Sequence, residues 1–133
     1  MNYKIAGIAT LLLAMISAAL FAQEVTGDWI SDVDPINNRP AKTIYEFNVE
    51  GSKLTGSVLF GWNEEERPIT NGKIKDDRIS FTLQSLLSFA GPHPRSYTLV
   101  YLYEGKISGD TINFTVSYGT HTKSKFTARK SNQ

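Results

Sequence analysis

Residues 43–60 read TIYEFNVEGSKLTGSVLF, and this stretch decides the fold class. Tyr45, Phe47 and Val49 alternate with Glu46 and Asn48. After Gly51-Ser52, Leu54, Val58 and Phe60 alternate with Lys53, Thr55 and Ser57. Successive side chains of a strand point to opposite faces, so an apolar residue at every second position marks a strand with one face buried. Gly-Ser between two such runs is a two-residue hairpin signal. Gly56 stands where an inward apolar residue is due, which predicts a sharp bend of the sheet at that point.

The same alternation continues along the chain at Ile79, Phe81 and Leu83, at Leu99, Tyr101 and Tyr103, and at Ile112, Phe114 and Val116. Residues 71–83 (NGKIKDDRISFTL) also match residues 104–116 (EGKISGDTINFTV) at the Gly, Lys, Ile, Asp, Ile, Phe and Thr positions. Each copy reads as a strand end, a tight polar turn and a new strand, so one type of hairpin is used twice. Two copies are too few for a solenoid. The predicted strands are 26–31, 43–50, 53–61, 67–74, 78–85, 96–108, 111–118 and 123–130. The expected fold is all-β, a single-domain eight-stranded antiparallel up-and-down barrel, because closure removes exposed sheet edges. A two-sheet sandwich is the alternative.

Residues 1–22 differ from the rest. Lys4 precedes an uncharged run from Ile5 to Phe21, and small residues follow at Ala18, Ala19 and Ala22. This is the pattern of a secretory signal peptide, with the barrel domain at 23–133 and export to the periplasm or medium. Cleavage after Ala22 places the polar Gln23-Glu24 at the mature start, whereas cleavage after Ala19 fits the small-x-small rule better. An uncleaved anchor is the competing reading, since the run approaches the roughly 20 residues that span a bilayer. The chain has no cysteine, which excludes a disulfide framework and thiolate chemistry. Without Lys4, 13 of the 14 basic residues remain against 13 acidic ones. A balanced, scattered charge gives no reason to expect nucleic acid or an anionic membrane as partner. The basic residues of 123–130 alternate with Ser124, Phe126 and Ala128 and read as a solvated strand face. Asn113-Phe114-Thr115 is a formal glycosylation sequon inside a strand, where no use is expected.

In a meander, alternate connections fall at opposite ends. Those at Gly51-Ser52, Lys75–Asp77 and Gly109-Asp110 are short and share one end. Those at 32–42, 61–66, 84–95 and 119–122 are longer and share the other, and long loops tend to carry function. That end collects Trp62, His93, Arg95, Tyr118 and His121, with Asp32, Asp34, the run Glu64 to Glu66, and the apolar Leu86, Leu87 and Phe89. The last three read either as a lid on a binding site or as a plug, and the plug is favoured because exposed apolar clusters are costly. The inward faces add Tyr45, Tyr97, Tyr101 and Tyr103, whose hydroxyls suit a cavity for a mostly apolar ligand or reach water at the barrel ends. The ligand-binding residues expected are Trp62, Tyr101, Tyr103, Tyr45, Phe89 and Arg95. His93 and His121 have no metal-ligand spacing. No serine lies in a nucleophile motif, and Asp76-Asp77 reads as a turn. No catalytic residue, metal or cofactor is therefore expected, and the chain is not expected to be an enzyme.

Thr26-Gly27-Asp28-Trp29, at the start of the first strand, resembles the Gly-x-Trp motif of the calycins, the superfamily of lipocalins, fatty-acid-binding proteins and avidins. Arg129 in residues 126–129 (FTAR) resembles the basic residue that packs over that tryptophan in lipocalins. Leu54-Thr55-Gly56 is similar to avidin-type chains. The resemblance implies that Trp29 and Arg129 close the barrel floor by cation–π stacking, and it implies a tendency toward small-molecule binding. It names no ligand, because avidins bring several further tryptophans and Trp62 is the second of two here. The resulting expectation is an exported barrel that binds a small, mostly apolar ligand at its long-loop end. The alternative is a protein-interaction module with a filled barrel, an inhibitor or an envelope accessory factor.

Overall fold

The alternation of residues 43–60 becomes a regular hairpin, β2 (Thr43–Glu50) with β3 (Lys53–Phe60), paired from Thr43↔Phe60 to Glu50↔Lys53. The computed structural model describes residues 24–131, so the leader expected at 1–22 and its cleavage site lie outside the described residues. The remaining strands are β1 (Gly27–Ser31), β4 (Glu65–Pro68), β5 (Thr70–Lys75), β6 (Arg78–Phe89), β7 (Arg95–Ser108), β8 (Thr111–Tyr118) and β9 (His121–Lys130). Each pairs antiparallel with its neighbours, and β9 returns to β1 through Trp29↔Lys130 and Ile30↔Arg129. The sheet is thus a closed barrel rather than a sandwich.

The nine segments make eight staves. The strand expected at 67–74 divides into β4 and β5, with Ile69 between them. Pro68 has no N–H to give to a ladder, and the register slips between Thr70 and Lys73. Continuity is kept on the β3 side, where the Ile69 N–H donates to Gly56 O and the Ile74 N–H to Ser52 O, both at 3.0 Å. Gly56 is the point where the wall folds over. Its φ is +145°, and a Cβ there would lie 1.8 Å from the carbonyl oxygen of Glu46.

The repeated sequence segments are the hairpins β5–β6 and β7–β8. Both turn through a residue of positive φ, Asp76 (54°) and Gly109 (59°). Their matching glycines, Gly72 and Gly105, also share a constraint. A Cβ on Gly72 would meet Leu54 O at 1.9 Å, and one on Gly105 would meet the Phe114 ring at 2.8 Å.

The inward faces fill the barrel with rings. Tyr103 stacks on Phe81 (centroids 4.7 Å, 17°), Phe114 stacks on Phe126 (5.2 Å, 19°), and Tyr45 stacks on both Phe114 and Phe126 (5.7 and 5.8 Å). Phe47, Leu54, Val58, Leu83, Ile112 and Val116 complete the core. An eight-stranded barrel is just wide enough for side chains to fill it, and aromatic residues contribute most area per position.

The floor lies at the end of the short turns. Trp29 is fully buried there, and its Nε1–H donates to Val25 O at 2.8 Å. The cation over its ring is Lys130, with Nζ 5.1 Å from the centroid. This corrects the expectation for Arg129. Trp29 pairs directly with Lys130, while Arg129, one residue earlier, faces outward and binds Asp32 at 2.8 Å. The Lys130 ammonium also donates to Glu24 O and, at 2.7 Å, to Thr26 O, which fastens the start of the barrel chain to its last strand.

Candidate functional site

The opposite end is built from one loop and one projecting hairpin. Loop 32–42 folds into the barrel opening as a stopper. Asp34, expected among the charges of the open end, is buried there. Its carboxylate accepts from the N–H groups of Ile36 (2.9 Å) and Asn37 (3.1 Å) and from Asn37 Nδ2 (2.9 Å). A carboxylate that accepts from the backbone two and three residues ahead makes the turn rigid. The Asp34 N–H donates to Arg39 O at 2.8 Å, Ser124 Oγ donates to Pro35 O at 3.2 Å, and Ile36 packs on the core.

The three other connections at this end are shorter than expected. The chain between β3 and β4 ends at Glu64, because Glu65 and Glu66 already belong to β4. Glu65 pairs with Arg67 at 2.8 Å and Glu66 accepts from Ser57 Oγ at 2.8 Å. These two glutamates are therefore strand residues with partners and not loop. The β8–β9 link is the two-residue turn Gly119-Thr120, with Tyr118↔His121 as its first pair. The span 84–95, expected as a long loop, is mostly strand. The β6–β7 ladder runs unbroken to Phe89↔Arg95 and leaves 90–94 as its tip.

This hairpin outruns its neighbours. The last pair between β7 and β8 is Tyr101↔Tyr118, so β7 continues six residues further with β6 on one side and, among the described residues, no strand on the other. Directly paired residues share a face. Leu83↔Tyr101, Ser85↔Leu99, Leu87↔Tyr97 and Phe89↔Arg95 therefore form one continuous surface. It starts in the core, where Leu83 is fully buried, and ends in solvent, where Leu87, Phe89 and Tyr97 are 42, 54 and 48% exposed. Phe89 and Tyr97 meet edge to face with centroids 6.1 Å apart. Leu86, on the other face, is 68% exposed. Leu86, Leu87 and Phe89 thus do not plug the barrel, which corrects the favoured expectation. Loop 32–42 takes that role, and a ladder held by Tyr97 and its neighbours carries the three apolar side chains out beyond the rim.

The expected ligand residues fall into four places. Trp62 borders a cleft of about 200 Å³ at the rim, together with Ile36, Phe60, Arg67 and Ser85, and the Arg39 guanidinium lies 4.6 Å over its ring. Phe89 and Arg95 are neighbours of His93 and Tyr97 around a separate hollow at the hairpin tip. Ser85 and Phe89 lie on one face four residues apart, so the two depressions are about 13 Å from each other along the strand. Tyr101 is buried at the rim against Tyr118, with centroids 5.8 Å apart, and this burial raises its phenol pKa. Tyr45 and Tyr103 lie deeper, within the ring stack.

The hydroxyls of Tyr45 and Tyr103 are buried beside each other, with no hydrogen-bond partner within 3.5 Å among the described residues. Burial pushes both phenol pKa values well up; the Tyr103 phenol and then the Asp34 carboxylate add to the shift at Tyr45, and Asp34 adds to it at Tyr103. His93 and Arg95 are exposed, with no carboxylate at ion-pair distance among the described residues. Among the described residues no group of three His, Cys, Asp or Glu side chains is placed to hold a metal ion. The feature that sequence reasoning missed is the free-standing ribbon. Its signal is present as the unbroken alternation of Leu83, Ser85, Leu87 and Phe89, obscured by the adjacent Leu86 and by the two prolines of the tip.

Comparison of the chain with protein-family models, with curated proteins and with solved structures returns no match.

Proposed function

We propose that this protein is an exported binding module. Its open end docks on an apolar segment of a protein partner through Trp62 and the inward face of the β6–β7 hairpin. The observation that carries this reading is the continuation of the core-facing surface into solvent through Leu87, Tyr97 and Phe89. A contiguous apolar surface held away from the core has no role in the stability of the barrel, and such surfaces mark interaction sites. Aromatic anchors rimmed by a cation, here Phe89 and Tyr97 beside Arg95, match the composition of interface centres. The ring-filled interior points the same way, because it leaves recognition to the surface.

A second reading is a carrier of calycin type for a small, mostly apolar ligand. The cleft beside Trp62 favours it. Its roughly 200 Å³ is below the range of about 300–1,000 Å³ that holds drug-sized ligands, so the ligand would be small and bound at the rim.

The test is to express the full chain with its own leader, purify it from the periplasm without denaturant and record native mass spectra. A photo-crosslinking residue at position 89 is then compared with one at position 75, beside the turn at the closed end. Crosslinks to one defined protein from position 89, lost in Leu87→Ser/Tyr97→Ser and absent from position 75, support the docking surface. A small-molecule adduct lost in Trp62→Ala would instead select the carrier. Equal crosslinking from both positions with no adduct refutes both.

A further inference from the structure

We infer that the cleft beside Trp62 binds one neutral pyranose ring of a saccharide, with the indole against the C–H face of the sugar and the polar groups of the cleft on its hydroxyls. The inference rests on the second reading above, that this cleft holds a small ligand, and it names the class of that ligand.

Two kinds of surface meet in the cleft. Ile36, the buried Phe60 and Trp62 supply apolar surface, and Trp62 is 42% exposed. The Arg39 guanidinium lies over the indole without bordering the cleft, so it braces the ring and leaves the cleft side to a ligand. Asn37, Asn63, Glu65, Arg67 and Ser85 make up the rest of the lining. These polar groups are held by one another. Asn37 Nδ2 donates to the buried Asp34 carboxylate at 2.9 Å, which leaves the amide oxygen of Asn37 as a fixed acceptor. Asn63 Nδ2 donates to one oxygen of Glu65 at 3.0 Å, and Arg67 Nε donates to the other at 2.8 Å. Arg67 Nη1 donates to Gln84 O at 3.4 Å. Among the described residues, Arg67 Nη2 and Ser85 Oγ have no partner. The cleft thus offers acceptors and donors side by side, and a hydroxyl serves both, since it donates once and accepts twice.

Charge narrows the class. Glu65 and Arg67 are the charged residues of the lining, and they neutralise each other. The hydrogen bond from Arg67 holds the Glu65 carboxyl below the usual carboxylate range, which keeps the pair ionised. A carboxylate or ammonium ligand would find no unpaired counter-charge. A wholly apolar ligand would cover Arg67 Nη2 and Ser85 Oγ and leave them unbonded, which is costly for a desolvated polar group. A neutral molecule with one apolar face and a hydroxylated edge meets both conditions. The space of about 200 Å³ lies below the range for drug-sized ligands and suits a single ring. A pyranose combines these properties, because its C–H groups form a face that packs on an aromatic ring while its hydroxyls surround the edge.

The chain has two tryptophans, and they lie at opposite ends of the barrel, so their indole N–H signals in a nitrogen–proton correlation spectrum separate the site from the rest of the fold. The full chain, exported and purified as above, is titrated with glucose, galactose, mannose and N-acetylglucosamine, each as the free sugar and as the methyl pyranoside. Cyclohexanol and glucuronate are the apolar and anionic controls of similar size. At least one sugar is expected to shift the Trp62 signal saturably in the millimolar range and to leave the buried Trp29 signal in place. Trp62→Ala, and Ser85→Leu, which fills the cleft, should each weaken binding by about tenfold or more, read from backbone amide shifts around the cleft, without changing far-UV circular dichroism. Glu65→Gln leaves the Arg67 charge unpaired and should raise glucuronate binding by about tenfold relative to the glucoside. A response to the methyl glycoside assigns the ring to the end of a glycan, and a response to the free sugar alone assigns it to a soluble sugar; both support the inference. A shift of Trp62 by cyclohexanol and by no sugar overturns it and leaves the carrier reading standing. Silence from every probe overturns it as well, and together with native spectra free of any adduct removes the carrier reading too. Sugar binding that survives Ser85→Leu, or a preference for glucuronate in the unaltered chain, also overturns the inference.

Discussion

Tyr103→Phe should make this protein more stable. The substitution removes one atom group and keeps the ring, so the stack on Phe81 at 4.7 Å and the edge contacts with Phe114 and Phe126 survive. What disappears is a hydroxyl that is fully buried and has no hydrogen-bond partner within 3.5 Å among the described residues. In the unfolded chain that hydroxyl is bonded to water. Folding therefore costs it about 1–3 kcal/mol, the typical penalty for an unsatisfied buried polar group. Phenylalanine carries no such cost, and the hydroxyl is too small for its loss to open a cavity that the neighbouring rings cannot close. The expected gain is about 1–2 kcal/mol. For a domain of this size that corresponds to a rise in Tm of about 4–8 °C. Urea unfolding followed by tryptophan fluorescence, with an unchanged m-value, gives the free energy. Tyr45→Phe should behave alike, and because the two rings touch, with centroids 6.3 Å apart, the double variant measures their coupling. A loss of about 1 kcal/mol or more in either single variant refutes the reasoning, because it would mean the hydroxyl is bonded, for example to an interior water. Strong non-additivity would mean that the two hydroxyls bond each other.

The same two phenols set an alkaline limit. Their pKa values are raised in the folded state by burial, so their contribution is intact below the unfolded value of about 10 and is lost as pH rises above it. Each should remove up to about 1.4 kcal/mol per pH unit beyond that point, and Tyr45→Phe/Tyr103→Phe should flatten the decline in unfolding free energy measured from pH 9 to 12. Gly56→Ala drives a methyl group into the Glu46 carbonyl at a positive φ and should cost about 3 kcal/mol or more, whereas Gly51→Ala, with open space around it, should cost only about 1. Thermal melts of the pair would decide this, and similar losses would count against the close approach. Lys130→Ala should cost about 1–2 kcal/mol and alter Trp29 emission, while Arg129→Ala, in an exposed pair, should leave both the stability and the emission unchanged. Phe89→Ser and Leu87→Ser should leave Tm almost unchanged, against a loss of about 2–5 kcal/mol for Leu83→Ala on the same face. A large loss at Phe89 would make it part of the core.

The barrel is legible because period-two alternation is a strong local signal, and because three of the seven connections between its eight staves are tight turns that residue type announces. The repeat identified two equivalent hairpins down to their matching glycines. The fourth stave was read as one strand. The break at Ile69 depends on which neighbour's ladder each half joins, a relation between strands that one segment does not encode. The tryptophan's cation was displaced by one position for a similar reason. Arg129 and Lys130 are adjacent, and the short β1–β9 pairing selects between them. Loop 32–42 reads as polar and open, yet Asp34 spends its carboxylate on its own turn and Ile36 enters the core. In the span 84–95, the consecutive Leu86-Leu87 interrupts the pattern, and two prolines suggest a loop that occupies the tip alone. Of the residues chosen for a site, Trp62, Phe89 and Arg95 lie at the open end as expected. Tyr45 and Tyr103 were placed on the correct face, but their depth depends on which partners stack on them.

The projecting ribbon also separates two kinds of change during divergence. Every stave of the barrel is already paired below Leu83 and Tyr101, and Leu99 is the last residue of β7 to pack on the core, so the segment beyond Ser85 and Leu99 can be rewritten without touching it. Loss or gain of two residues on each strand moves the tip by about 7 Å and keeps every side chain on its face, whereas a single-residue change in one strand turns the exposed set around. Length can therefore drift in steps of two while the barrel stays the same. That makes residues 86–98 a natural place to graft a different recognition sequence onto an unaltered scaffold.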